Sequence, residues 1–240
     1  MSYLKVSNFS KVINKTTILD NVSFELENGK LLVILGKSGA GKTTLLRNIN
    51  LLDFPDLGTL ELDGEILYNY KEKNISSSEL QRRHKLIGLV FQNFNLFPHY
   101  NVLENVTLAV KIEKKLKAKK DKMIDLNKLN EETNNLAMEI LKELGLENKI
   151  NNYPYQLSGG EQQRVAIARS LILNPKVLCF DEPTSALDPA LTGEVIKVIN
   201  NLKAQNQTMI VITHEMDFAY QIADKIIIID EGKIIEEKDI

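Results

Sequence analysis

The sequence predicts an α/β fold: a core with a mixed, largely parallel sheet, an antiparallel β subdomain and an inserted helical subdomain. Three observations lead there. Apolar runs at 31–35, 86–91, 177–181, 208–213 and 226–230 are mostly separated by helical patterns, the signature of βαβ units. Alternating runs at 3–8 and 18–26, with Asn28-Gly29 closing the second, and a hairpin pattern over 58–68 turning at Asp63-Gly64 add a small antiparallel sheet. Between Gln92 and residue 173 the strand signals fade. Residues 131–144 and 161–173 there carry helix-period apolar residues: Leu136, Ile140, Leu141 and Leu144, then Val165, Ile167, Ala168 and Leu171. A single domain over 1–240 is expected, its core taking 1–92 and 173–240 and its helical subdomain 93–172.

Composition narrows the function classes. With 43% hydrophobic and 26% charged residues, the chain has the make-up of a soluble globular protein. A formal net charge of −2 leaves no footprint of nucleic-acid binding. The one cysteine, Cys179, excludes an internal disulfide and, inside an apolar run, reads as an inert core thiol. No apolar run approaches the length needed to cross a bilayer, and the N-terminus alternates like a strand rather than a signal peptide. Any membrane role is expected to come through a partner.

The first apolar run feeds a glycine-rich turn, Gly36-Lys37-Ser38-Gly39-Ala40-Gly41-Lys42-Thr43-Thr44, and then a helical pattern through Leu45, Leu46 and Ile49. The turn fits G-x-x-x-x-G-K-[ST], a phosphate-binding loop, and strand before with helix after is the context that motif requires. Glycines let the backbone approach an anion closely, and free N–H groups at the helix start face the phosphates. Lys42 is expected to reach the β- and γ-phosphates and the Thr43 hydroxyl to ligate Mg²⁺. The chain is thus expected to bind a nucleoside triphosphate on a phosphate-loop (RecA-like) core.

In parallel sheets ligands sit beyond the carboxyl ends of the strands. There the sequence places Gln92 after 86–91, Asp181-Glu182 at the end of 177–181, and His214 after 208–213. Asp181 fits the acidic residue that holds Mg²⁺, and Glu182 is the candidate for polarising the attacking water. Gln92 is a second candidate for water and metal, and His214 a donor for the γ-phosphate. A helix cap near Pro183 is the alternative for the acidic pair, and a structural role the alternative for Gln92 and His214. Further on, Leu157-Ser158-Gly159-Gly160-Glu161 sets Ser and two glycines before a helix. Two readings stand on the residues alone: an anion-receiving terminus, or an ordinary capping box of Ser158 with Glu161.

Gly36–Thr44, Gln92, Leu157–Glu161, Val177–Glu182, Ser185-Ala-Leu-Asp188 and His214 follow the order and spacing of the ATP-binding cassette family, which the chain resembles over nearly its whole length. The resemblance implies a head-to-tail dimer with ATP and Mg²⁺ at the interface. Ser158, Gly159, Gly160 and Glu161 of one copy, with Asp188 and Ser185 along the interface, would meet the triphosphate held by Lys42 of the other. Glu161 replaces the family's usual Gln. An aromatic that stacks on adenine is expected shortly before the Leu19–Val22 strand; Ile13 stands at that position, which puts base selectivity in doubt. Asp188-Pro189 also reads as an N-cap with proline at the first helical position.

The aromatic-rich segment Phe94–Tyr100 reads as a partner surface or as an anchor for the helical subdomain. In the family this region receives a cytoplasmic helix of the membrane subunits. Arg47–Leu52, the text after Gln92 and Thr213-His-Glu-Met-Asp-Phe-Ala219 resemble the subfamily that energises bacterial uptake of polar amino acids. That implies permease partners, an extracytoplasmic solute-binding protein, and a place on the cytoplasmic face of the membrane. An exporter, lipoprotein-release or mechanical-signalling ATPase is the alternative. The lysine-rich stretch 111–122 is expected to be a solvated helical extension.

Overall fold

A computed structural model describes residues 2–72, 75–120 and 125–240. In chain order the elements are β1 (Ser2–Ile13), β2 (Thr16–Glu27), β3 (Leu31–Leu35), α1 (Lys42–Ile49), β4 (Leu57–Leu62), β5 (Glu65–Asn69), α2 (Ser77–Leu86) and β6 (Ile87–Val90). Then come α3 (Val102–Lys120), α4 (Leu126–Glu143), α5 (Gly159–Leu171), β7 (Val177–Asp181), α6 (Pro189–Ala204), β8 (Thr208–Thr213), α7 (Met216–Ile222), β9 (Lys225–Asp230) and β10 (Lys233–Asp239). Two compact units result: Met1–Gln92, Pro175–Ser185 and Val195–Ile240 form one, Asn93–Asn174 and Ala186–Glu194 the other.

The first unit holds both sheets. A six-stranded sheet runs in the order β10-β9-β3-β8-β7-β6. β9, β3, β8, β7 and β6 are mutually parallel, and β10 returns antiparallel to β9. β3 is buried along its whole length, which is why it reads as an unbroken apolar run. α1 follows it and buries Leu45, Leu46 and Ile49. The second sheet, β2-β1-β4-β5, is antiparallel, and its inward residues Leu4, Val6, Phe9, Leu19, Val22, Phe24 and Leu60 join the same hydrophobic core. β10 and α2 had no counterpart in the sequence expectation. β10 is exposed at nearly every position and α2 buries no residue, so neither carries an apolar pattern to read.

In the second unit α3 packs on α4 and α5. Its interior takes Val106, Ala137, Leu141, Val165, Ala166, Ile167 and Ala168. Leu136, expected on the inward face of α4, is instead exposed, because the face is turned by one residue so that Thr133 and Ala137 point inward. Residues 186–194, expected in the core, group with this unit. Glu194 pairs with Arg164 of α5, and Leu187 and Leu191 lie against Gly159 and Gly160. The lysines of the expected extension lie on α3 as far as Lys120, and Lys122 falls outside the described residues. Lys114 is tied down, donating to the Leu129 carbonyl and the Thr133 hydroxyl, whereas Lys115, Lys117 and Lys119 are exposed. Among the described residues no helix is long and apolar enough to cross a membrane.

Candidate functional site

The site of the first unit starts where β3 runs out into the glycine turn. Gly41 precedes α1 with φ 100, a left-handed conformation that suits glycine, and a Cβ there would come within 2.7 Å of the Ile18 carbonyl oxygen. No side chain caps α1 and no acidic residue occupies its first turn, so its leading N–H groups keep their affinity for an anion. Lys42 is 5% exposed, and its ammonium donates to the carbonyls of Gly36 (2.7 Å) and Lys37 (3.1 Å). It also lies 3.7 Å from Glu182 Oε1. Ile18, Ser38, Gly39, Gly41, Lys42, Thr43, Thr44 and Glu182 line one open depression.

The ends of β7 and β8 supply the acidic and imidazole groups, because parallel pairing in register brings Asp181 beside Ile212. Asp181 Oδ1 accepts from the Thr43 hydroxyl at 3.5 Å. Burial first, and the Glu182 carboxylate second, raise the Asp181 pKa above the ordinary aspartate value. A half-buried carboxylate beside a hydroxyl is an oxygen donor set suited to Mg²⁺, which commonly takes one or two protein ligands and leaves the rest to water and phosphate. Among the described residues no cluster of three acidic, histidine or cysteine side chains forms a closed metal cage, as such shared ligation allows. Glu182 has φ 46 and donates its N–H to the Ile212 carbonyl at 2.9 Å. His214 Nδ1 lies 3.2 Å from Glu182 Oε2. The structure therefore brings Lys42, Thr43, Asp181, Glu182 and His214 together.

Gln92 and Ile13 stand apart from that group. Gln92 is exposed just past β6 and Ile13 is 44% exposed at the end of β1; neither lines the depression. Ile18 does. No role was expected for it, since its placement follows from β2 passing beside Gly41. The turn between β9 and β10 was missed too: Gly232 donates to the Ala40 carbonyl and its own carbonyl accepts from Asp20, so the turn braces the loop from behind. A Cβ on Gly36 would press within 2.4 Å of the Ile229 carbonyl oxygen, so that end of the loop also demands glycine. A second cleft of the same unit, lined by Glu25, Lys30, Asp224 and Lys225 among others, already pairs its charges internally: Lys30 and Lys203 with Asp224, Lys225 with Glu237.

In the second unit Ser158 caps α5. Its hydroxyl accepts from Glu161 N–H at 3.3 Å, and Glu161 Oε2 accepts from Ser158 N–H at 2.8 Å. The carboxylate fills the capping role that an amide would, and Lys149, 3.1 Å away, offsets its charge. Burial pushes the Glu161 pKa up, but the Ser158 amide and Lys149 outweigh it and hold it below the ordinary value. Gly160 is buried, and Asp188 precedes α6, whose first residue is Pro189. The loop before α3 is held open to solvent. Phe97 and Tyr100 are exposed and meet edge to face at 5.9 Å. Buried Asn105 donates to the carbonyls of Phe97, Tyr100 and Asn101, and Arg169 to those of Phe94 and Asn95.

The chain that carries this site has counterparts among known proteins. Residues 19–185 match the sequence model of the ABC transporter family. The chain belongs to that family. It is 43% identical over 237 residues to the L-cystine transport system ATP-binding protein TcyN of Escherichia coli, covering 99% of this cassette and 90% of the relative. It is 44% identical over 236 residues to the L-cystine import ATP-binding protein TcyC of Bacillus subtilis, covering 98% and 89%. Among solved structures, the dimeric post-hydrolysis state of the cassette MJ0796 bound to ADP and Pi superposes with a TM-score of 0.78 at 32% identity, covering 98% of each chain.

Proposed function

We propose that this cassette is the ATP-hydrolysing motor subunit of an importer for polar amino acids, working on the cytoplasmic face of the membrane. The observation that carries the reading is the full-length likeness to cystine import subunits, joined to the clustering of Lys42, Thr43, Asp181, Glu182 and His214 at the strand ends.

Each residue has a task suited to its geometry. The loop amides of Gly39–Thr44 and the Lys42 ammonium hold the β- and γ-phosphates, and Thr43 with Asp181 holds Mg²⁺, which neutralises charge on the phosphates. Glu182 Oε accepts the proton of the attacking water as its oxygen adds to the γ-phosphorus and the bond to the bridging oxygen breaks, leaving ADP. His214, whose Nδ1 lies 3.2 Å from Glu182 Oε2, presents its other nitrogen to the γ-phosphate. Gln92, from its exposed site, meets water and metal only when the cassette closes on nucleotide. Ile13 offers apolar contact to the base. Two copies pack head to tail, so that Ser158 and the Gly159, Gly160 and Glu161 backbone of one, with Asp188 at the interface, reach the γ-phosphate held by the other. Phe94–Tyr100 receives the permease helix, and a solute-binding protein delivers cargo outside.

The test is co-expression with the permease subunits that co-purify with the chain, followed by assay in lipid vesicles. ATP hydrolysis rising several-fold on addition of binding protein loaded with cystine, glutamate or glutamine is the expected outcome. Hydrolysis indifferent to every loaded binding protein would remove the importer reading and leave the exporter class.

A further inference from the structure

We propose that Thr184 and Glu215 form a latch that positions Glu182 and His214 against each other for hydrolysis. The inference rests on the reading of Glu182 as the group that polarises water.

The last ladder bond between β7 and β8 runs from Glu182 N–H to the Ile212 carbonyl. Beyond it the two chains leave the sheet as separate loops, one carrying Glu182 and the other His214. Regular pairing no longer fixes their spacing, yet the carboxylate and the imidazole lie 3.2 Å apart. Glu182 is also in the left-handed backbone region, which a residue with a Cβ holds only under restraint from its surroundings. Part of that restraint is local: the Ser185 amide and hydroxyl both donate to the Glu182 carbonyl.

The restraint that crosses between the loops is the Thr184 hydroxyl, which donates to Glu215 Oε1 at 2.6 Å. Thr184 is only 4% exposed, so its hydroxyl is sealed against water and the bond is of the short, charge-assisted kind. Glu215 is itself anchored, with its N–H on the Thr213 hydroxyl and its carbonyl accepting from Ala219. It stands at the N-cap of α7, yet its side chain makes no capping bond there. The carboxylate is spent on Thr184 instead. Thr184 follows Glu182 by two residues and Glu215 follows His214 directly, so their bond sets how far the two functional groups stand apart. Neither latch residue lines the phosphate depression, which makes them positioning residues.

The test is steady-state ATP hydrolysis by the full chain carrying Thr184→Val, Glu215→Ala, both together, or Thr184→Ser, with ATP affinity and melting temperature measured on each. Expected is a fall in kcat of about tenfold for each single variant, with KM and ATP affinity within about twofold of the parent. The double variant is expected to be no slower than the worse single, and serine to recover most of the rate. Unchanged kcat in the valine variant overturns the latch, as does additive loss in the double variant or a parallel loss of ATP affinity. Should the valine variant not fold, Glu215→Ala, which removes the acceptor oxygen, decides in its place; a rate equal to the parent's then overturns the proposal. Glu182→Gln separates the two layers of argument. Brisk hydrolysis in that variant removes the reading of Glu182, whereas loss there with a fully active Thr184→Val removes the latch alone.

Discussion

The molecule has two glycine-rich helix starts, and they are finished differently. Ahead of α1, Gly41 offers no side-chain cap, and the ammonium of Lys42 folds back on the carbonyls of Gly36 and Lys37. Ahead of α5, Ser158 and Glu161 satisfy each other's backbone amides, and Lys149 balances the carboxylate. A capped terminus is stable by itself and has little electrostatic need of an anion, while an uncapped one keeps its N–H groups for a ligand. The contrast teaches that equal glycine content does not make equal sites. On the proposed reading, the first terminus binds phosphate alone and the second adds contacts to a phosphate already held by another copy.

Four substitutions test that contrast, beginning with the two expected to abolish function. Lys42→Ala removes the one cation buried in the loop, and ATP binding measured by calorimetry should fall by at least about a hundredfold, as expected for a charge-assisted phosphate contact worth ~3 kcal/mol. Glu182→Gln should lower turnover by about 10²–10⁴-fold, the usual worth of a general base, while ATP binding persists and ATP-bound dimers accumulate on gel filtration. Ser158→Ala removes the cap of α5 and should cost about 1 kcal/mol of stability together with a loss of dimer-dependent hydrolysis. ATP affinity of the monomer should stay unchanged in that variant, and a loss comparable with that of Lys42→Ala would erase the distinction between the two termini.

The smallest effect concerns Asp181. Its pKa is raised in the folded protein, so the charged form is disfavoured there; the stability linked to its proton is full below the unfolded aspartate value and is lost as pH rises through the folded one. Asp181→Asn should therefore raise the nucleotide-free melting temperature by a few degrees at neutral pH, and the gain should vanish on acidification below about pH 4, where both forms are neutral. A gain that grows on acidification would contradict the burial argument.

The sequence made legible whatever was local or periodic. Gly36–Thr44 lies between a buried strand and a helix, and the Asp63-Gly64 hairpin is closed by β4 and β5. Asp181, Glu182 and His214 could be picked out because strand ends in a parallel sheet collect functional groups. Hidden features were those whose reason lies across the chain. The Ile18 carbonyl lies against Gly41, and Gly232 donates to the Ala40 carbonyl, each across a long stretch of chain, and no residue type announces either contact. α2 and β10 bury almost nothing, so their sequences have no apolar rhythm. Leu136 was misplaced because Thr133, a polar residue, occupies an inward position of α4 and shifts the face.

The lone cysteine has a practical consequence. Cys179 sits fully buried in β7, and burial pushes its thiol up to about 12, far from the thiolate that maleimides and spin labels attack. The natural chain is thus chemically silent toward such reagents while folded. A single surface cysteine introduced on α5 or beside the phosphate loop would be the sole labelling point, and paired labels on two copies would report their approach as a distance, with no background to subtract.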